Sequence, residues 1–340
     1  MNELQTILHG TIHRLFGDFV DKNLIQKAEE GVWPEKLWAA LEEAGMTRVL
    51  VPEEQGGAGG GWADAMILIK AAGEHKVPLP LAETILASAI LAEAGIAVPE
   101  GVLTVLTGDL ALDGKTVSGT AERTPWGRNA DHGVAVLEQD GGRVAVLVLL
   151  KGSVIDEDVN LAREPRDEVT LQNADALVGG AVDPDRIGLL GALVRSGQMA
   201  GALSFLIRQS VEYANERTQF GKPIGKFQAI QQQLAILSTQ AAAANLAASH
   251  AAAKADAGDA LFEIAIAKVR ADEAVSLATS IAHQVHGAIG FTYEHELHFA
   301  TRRLWSWRAE FGSGSQWAGV LGRAVIARGP DALWPYVTAR

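Results

Sequence analysis

The feature that most restricts the fold lies in the second half of the sequence. Three long amphipathic patterns follow one another there: Leu189 to Asn215, Gln228 to Ala257 and Leu261 to His286. Helices of that length bury their apolar stripes against one another, and a four-helix bundle is the natural packing. Gly258 stops the second pattern, and the glycines after His286 stop the third. Residues 1–99 read as shorter helices. Leu4, Ile7, Leu8, Ile12, Leu15 and Phe16 recur at helical spacing, as do Leu37, Leu41 and Met46 after Pro34, a good opener for a helix. The run EEQGGAGGG, Glu53 to Gly61, breaks this pattern before a further helical stretch, Ala63 to Ala72. Residues 100–184 change character. VLTVLTG, KTVSGT, HGVAVLEQ, RVAVLVLL and DEVTLQN are short valine-rich runs separated by turn signals at Asp113-Gly114 and Asp140-Gly141-Gly142. The predicted fold is therefore mostly α with a small β domain: an N-terminal helical domain (1–99), a middle β domain (100–184) and a C-terminal helical bundle (185–340).

Charge and composition narrow the chemistry. A formal net charge of −12 argues against a general nucleic-acid or anionic-membrane binder, each of which needs a basic face. The absence of cysteine removes disulfides, a thiolate nucleophile and thiolate metal sites. The N-terminal residues mix charge with apolar groups, without the hydrophobic core of a secretory leader, and no uninterrupted apolar run approaches membrane-spanning length. A soluble, cytoplasmic protein is expected. His283, His286, His295 and His298 form two H-x-x-H pairs, but these straddle the Gly287–Gly290 break and contain no H-E-x-x-H, so no metal site is expected. Gly56 to Gly61 lacks the Lys-Ser/Thr of a phosphate-binding loop and reads as a plain loop. Arg302, Arg303, Trp305, Trp307 and Arg308 mix cations with aromatics as single-strand binding surfaces do. In an acidic chain, packing and ion pairing are the simpler reading.

Two stretches carry candidate chemistry. In Glu216 to Gly225, ERTQFGKPIG, an arginine stands where a helix gives way to a Gly/Pro loop, a setting suited to a diphosphate held by a guanidinium fork. The same arginine could equally pair with a neighbouring acid. In Gln284 to Gly290, QVHGAIG, two glycines close the long helix and permit near contact with a flat or charged ligand, as would an ordinary glycine cap.

ERTQFGKPIGKFQAIQ is very similar to the acyl-CoA dehydrogenase signature R-x-x-F-G-x-x-I-x-x-x-Q. QVHGAIGFTYEHELHFATRR resembles that family's Q-x-x-G-G-x-G segment with its acidic residue and downstream arginine. LWAALEEAGMTRVLVPEEQGGAGGG resembles its N-terminal L-x-x-x-G-x-x-x-x-x-x-P-E-x-x-G-G-x-G. The three matches occur in family order and span nearly the whole chain. The resemblance implies FAD as cofactor, α,β-dehydrogenation of an acyl-CoA thioester, electrons passed to an electron-transfer flavoprotein, and a homo- or hetero-oligomer, dimer or tetramer. It also implies a flavin housed mainly across a subunit interface. Arg217, Gln219 and Phe220 would reach it, together with Gln284, Val285, His286, Gly287 and Ala288, and with Gln228 on the following helix.

The resemblance is uneven. The family's usual base is the glutamate of an E-G-T motif, and counting without gaps from Glu294 through Arg302 puts that position on Phe311. Phenylalanine cannot accept a proton. Glu310, one residue earlier, is the candidate catalytic base, provided the backbone turns it inward. Gly188 to Val194, where some members carry the base, offers no carboxylate. The family's T-E-P-x-x-G-S flavin loop is missing, and its W-I-T-N-G stretch is replaced by VSGTAERTPWGRNAD, in which Trp126 would flank a ring or lie buried. Groups that would touch a neighbour's flavin are kept while those that would build the chain's own pocket are eroded. This resembles the heteromeric acyl-CoA dehydrogenases of sterol side-chain degradation, in which one subunit supplies the base and the other supplies flavin contacts. A catalytically impaired partner subunit is the alternative expectation.

Overall fold

The structure, a computed structural model, describes residues 2–339. It opens with α1 (Glu3–Phe19), α2 (Lys22–Glu29), α3 (Glu35–Glu43), α4 (Trp62–Glu74) and α5 (Leu81–Glu93). Asn2 and Gln5 form a reciprocal capping box at the start of α1. Ile12 and Phe16 on that helix are fully buried, but Leu4 and Ile7, which share their period, stay exposed because the first turns overhang the core. The glycine-rich run folds back on itself: the N–H groups of Gly57, Ala58, Gly59 and Gly60 all donate to carbonyls of residues 48–52. From Gln55 to Gly61 each backbone N–H is already engaged, so none of these is left for a phosphate. The N–H groups of Trp62 and Ala63 donate to the carboxylate of Asp256 at 2.5 and 3.0 Å, so a distant side chain caps α4.

The β domain comprises β1 (Leu103–Val105), β2 (Gly108–Asp113), β3 (Thr116–Pro125), β4 (His132–Gln139), β5 (Gly142–Leu149), β6 (Val154–Asp156) and β7 (Arg166–Ala181). They form one sheet in the order β1-β4-β5-β7-β3-β2, with β6 added on β7. Only β1 and β4 run parallel. β7 is long enough to pair with β5 through its second half and with β3 and β6 through its first. A register shift in β3 between Ala121 and Thr124 puts Arg123 at φ 48° and turns residues 122 and 123 out of the ladder. Trp126 is buried, its ring edge-on to Trp33 at 6.2 Å.

The bundle follows: α6 (Arg186–Glu216), α7 (Gln228–Asp256), α8 (Leu261–His286), α9 (Leu297–Trp307), α10 (Gly314–Arg328) and the short α11 (Leu333–Thr338). α6, α7 and α8 pack mutually, α10 lies on α8, and α4 packs against both α6 and α7. Among the described residues α6 is the one helix long and apolar enough to cross a membrane. However, 89% of its apolar window is buried in the protein, as befits the helix at the centre of the core. Its crossing with α4 is built on glycine: a Cβ on Gly201 would overlap the Lys70 carbonyl, and one on Gly73 the Gln198 carbonyl. Gly201→Ala is therefore expected to lower stability by about 1–3 kcal/mol, the scale of overpacking, despite alanine's helix propensity gain of about 1 kcal/mol. A urea midpoint equal to or above that of the wild type would rule out this close crossing.

Candidate active site

Where the β domain meets α6 and the α9–α10 turn, two cavities lie side by side. One, of about 760 Å³, is lined by the apolar side chains of Leu106, Val136, Leu189, Trp317 and Val320 together with the charged Asp183, Asp185 and Arg323. The other, of about 590 Å³, is polar on one side, with Arg123, Arg166, Ser306 and Glu310 facing Val105 and Pro125. Thr107, Gly108, Ile187, Gly188 and Phe311 line both.

The polar cavity backs onto a buried network of three arginines and three glutamates. Glu310 Oε1 accepts from Arg166 Nε at 2.8 Å, and its Oε2 accepts from Arg166 Nη2 at 3.0 Å and Arg195 Nε at 2.7 Å. Arg195, on α6 and fully buried, also donates from Nη2 to Glu83 of α5 at 2.6 Å and from Nη1 to Gln198. Glu164 accepts from Arg166 at 3.1 Å and from the Trp307 indole at 2.9 Å, with Arg303 Nε 3.2 Å away. Charges of both signs balance, as burial requires. Glu310 is 13% exposed. Burial alone would raise its pKa, but the Arg166 and Arg195 charges outweigh that and hold it at about 2.

The turn carrying Glu310 is fixed from the bundle side. Lys268 of α8, fully buried and pushed down by desolvation to a pKa of about 8, donates to the carbonyls of Arg308 and Gly312, each at 2.7 Å. The Trp317 indole donates to the Phe311 carbonyl at 2.9 Å. The remaining basic and aromatic residues of α9 are also engaged. Arg302 pairs with Glu29 at 2.7 Å and Arg308 with Asp272 at 2.8 Å, in keeping with packing and ion pairing rather than a free basic face.

The two sequence stretches meet at one end of the bundle. Arg217 caps the C-terminus of α6, and Thr218–Gln219 pairs with Lys222–Pro223 in a tight hairpin. At its tip Phe220 takes φ 52° and is 92% exposed. One turn back in α6, Tyr213 stacks on His286 with ring centroids 4.5 Å apart, joining the hairpin to the end of α8. Arg217, Gln219, Phe220, Gln228, Gln284, Gly287 and Ala288 are all exposed, and none lines either cavity. Val285 and His286 differ. Both side chains turn into the core, and His286 Nδ1 is 2.8 Å from the Ala282 carbonyl. Side-chain contact with an external ligand is closed to Val285, and His286 is left with its unpartnered Nε2. Burial lowers the pKa of His283, His286, His295 and His298, and no group of metal-ligating side chains occurs among the described residues.

Family models for the acyl-CoA dehydrogenase N-terminal and C-terminal domains match residues 3–97 and 190–323. The acyl-CoA dehydrogenase IpdE2 of Mycobacterium tuberculosis is 32% identical over 296 residues, covering 81% of this chain and 82% of that protein. The chain belongs to the acyl-CoA dehydrogenase family. Another relative with the same name, from Mycolicibacterium smegmatis, is 28% identical over 89% of this chain and 93% of its own length. Among solved structures, the Tcur3481-Tcur3483 steroid ACAD G363A variant superposes with a TM-score of 0.86 at 25% identity, covering 94% of this chain and 97% of that one. The ChsE4-ChsE5 complex from Mycobacterium tuberculosis gives 0.87 at 24%, covering 97% and 99%, and supports the fold.

As an acyl-CoA dehydrogenase the chain is a flavoprotein oxidoreductase with FAD as cofactor. Its residues fit that group. Arg217 is an exposed guanidinium with no ion pair among the described residues, near the exposed ring of Phe220, which meets Phe227 edge-on at 6.1 Å, and the amide of Gln219. Such a set suits a diphosphate and an adenine approaching from outside. Gly287 at φ 66° has nothing within 4 Å of where a Cβ would lie, which leaves that approach open.

Proposed function

We propose that this chain serves as one subunit of a heteromeric acyl-CoA dehydrogenase that oxidises an acyl-CoA thioester and passes electrons to an electron-transfer flavoprotein. In this reading its exposed Arg217, Gln219, Phe220, Gln228, Gln284, Gly287 and Ala288 complete a flavin site across the interface with a different subunit. The observation that carries it is the engagement of Glu310. Dehydrogenation needs a base for the α-proton, and the flavin, when bound, takes the β-hydride. A general base works best with a pKa near the operating pH. Glu310 sits near 2 and accepts from two guanidiniums. Its role is then to anchor the α9–α10 turn to β7 and α6, while the base comes from the other subunit. The names of the two solved structures, Tcur3481-Tcur3483 and ChsE4-ChsE5, each pair two components, which favours the same reading.

Co-expression with a second acyl-CoA dehydrogenase chain is expected to yield a tight yellow complex, whereas the chain alone retains little flavin. A homomer with full flavin and full activity would overturn the proposal. In the complex, acyl-CoA should bleach the flavin anaerobically, and Glu310→Gln should leave the rate within about tenfold. A fall of about 100-fold or more, the scale of a lost general base, would return the proton to Glu310.

A further inference from the structure

We propose that Tyr213 is a positioning residue for the cofactor: its ring, stacked on His286, ties the Arg217 hairpin to the Gly287 turn so that the two motifs meet a flavin as one unit. The inference rests on the reading that both motifs contact a flavin across the subunit interface.

Connectivity is the first support. Tyr213 lies in the last turn of α6, and its carbonyl accepts from the Arg217 N–H at 2.9 Å. The Arg217 carbonyl in turn accepts from the Ile224 N–H at 2.8 Å, so both arms of the hairpin hang from the turn that carries Tyr213. His286 is the last residue of α8 and directly precedes Gly287. The two ring centroids are 4.5 Å apart with planes at 25°. His295 closes on them edge-on, 4.7 Å from His286 and 6.2 Å from Tyr213. The hairpin's lack of burial is the second support. Residues 215–222 are exposed throughout, so no core packing of their own fixes them. Phe220, at 6.1 Å, and the Lys222 ammonium, at 4.5 Å, rest against the Phe227 ring, which orients the hairpin on the start of α7. α6 and α8 pack together, but helix ends fray, and both motifs begin at those ends. The stack joins them there.

Ring chemistry is the third. A carbonyl only accepts, so His286 Nδ1, 2.8 Å from the Ala282 carbonyl, carries the proton, and the ring is pinned from within α8. Its Nε2 is buried without a partner. A buried acceptor left unsatisfied is costly, so hydrogen bonding does not account for an imidazole here, whereas a fixed flat face for Tyr213 does. Stacked rings contribute beyond the area they bury. Ordering both contact groups before the cofactor arrives removes that cost from the binding step.

The test titrates FAD into the flavin-free two-subunit complex and reads the dissociation constant by absorbance. Tyr213→Leu should weaken binding about threefold to tenfold, the scale of one aromatic pair, and Tyr213→Phe should stay within about twofold of the wild type. His286→Leu should cost as much as Tyr213→Leu, and the double variant no more than either single, because the pair acts as one unit. Amide hydrogen exchange in the flavin-free complex should quicken at residues 217–222 and 287–290 together when Tyr213 is leucine. Additive losses in the double variant, or a loss with Tyr213→Phe equal to that with Tyr213→Leu, overturn the tie. If Tyr213→Leu is silent while Arg217→Ala weakens binding, the tie falls and the functional reading stands. If Arg217→Ala is silent too, the functional reading falls and takes the tie with it.

Discussion

Replacing Arg195 by methionine is expected to destabilise the protein by about 3–5 kcal/mol, the cost of breaking a buried ion network on one side. Arg195 is fully buried and serves Glu83, Gln198 and Glu310 at once. Its loss strands Glu83, which has a second oxygen already without a hydrogen bond, and takes from Glu310 one of its two guanidiniums. Lysine would not rescue it, because one ammonium cannot span three acceptors that a planar fork meets together. Urea unfolding measures the effect, and a loss below about 1 kcal/mol, the scale of an exposed pair, would show that the network is solvated rather than sealed. The pH dependence has a definite sign. The Glu310 pKa is lower in the folded protein than its ordinary value of 4.5, so this group's contribution is full above that value and is lost as pH falls toward 2. Arg195→Met should therefore shift acid unfolding to higher pH.

The second large effect is expected at the other end of α6. Arg217→Ala in the two-subunit complex should weaken flavin retention about 10- to 100-fold, since a charge-assisted hydrogen bond contributes about 1.5–3 kcal/mol. Thermal unfolding of the isolated chain should not move, because Arg217 is exposed and without an ion pair among the described residues. Flavin titration by absorbance separates the outcomes. Undiminished retention would mean that the exposed hairpin does not face the cofactor, and the cross-interface reading would fall.

Local signals carried much of the fold. The third long pattern, Leu261 to His286, coincides with α8 because alanines and valines recur on its buried face and Gly287 at φ 66° ends it. α7 begins at Gln228 as expected, and Gly258 follows its C-cap at φ 101°. The β runs were legible as strands, but neither the sheet order nor the bulge at Arg123 was, since both depend on partners far along the chain. The site divides in the same way. The exposed hairpin residues and the glycine turn are contiguous motifs, whereas the engagement of Glu310 depends on Arg166 and Arg195, which are 144 and 115 positions away. One clue was available: Arg195 interrupts the apolar stretch from Leu189 to Leu203, and a charge on such a face must find a buried partner. Lys268 within α8 carries the same message. That the side chains of Val285 and His286 lie buried was not legible, because a linear motif does not say which of its residues face inward.

The central position of α6 has one more consequence. A continuous core runs from Ile12 of the first helix through Val134 and Leu147 of the sheet to Trp307 of the bundle, with α6 as its common wall. The three segments that differ so plainly in pattern are therefore not interchangeable modules. The sheet adds a cluster of its own around Val117, Val146 and Leu171, yet an exchange that respects the composition boundaries would still cut through the shared interior. Outside that interior lie the hairpin at Phe220 and the exposed end of α8, the two rims that the cofactor reading reserves for flavin contact.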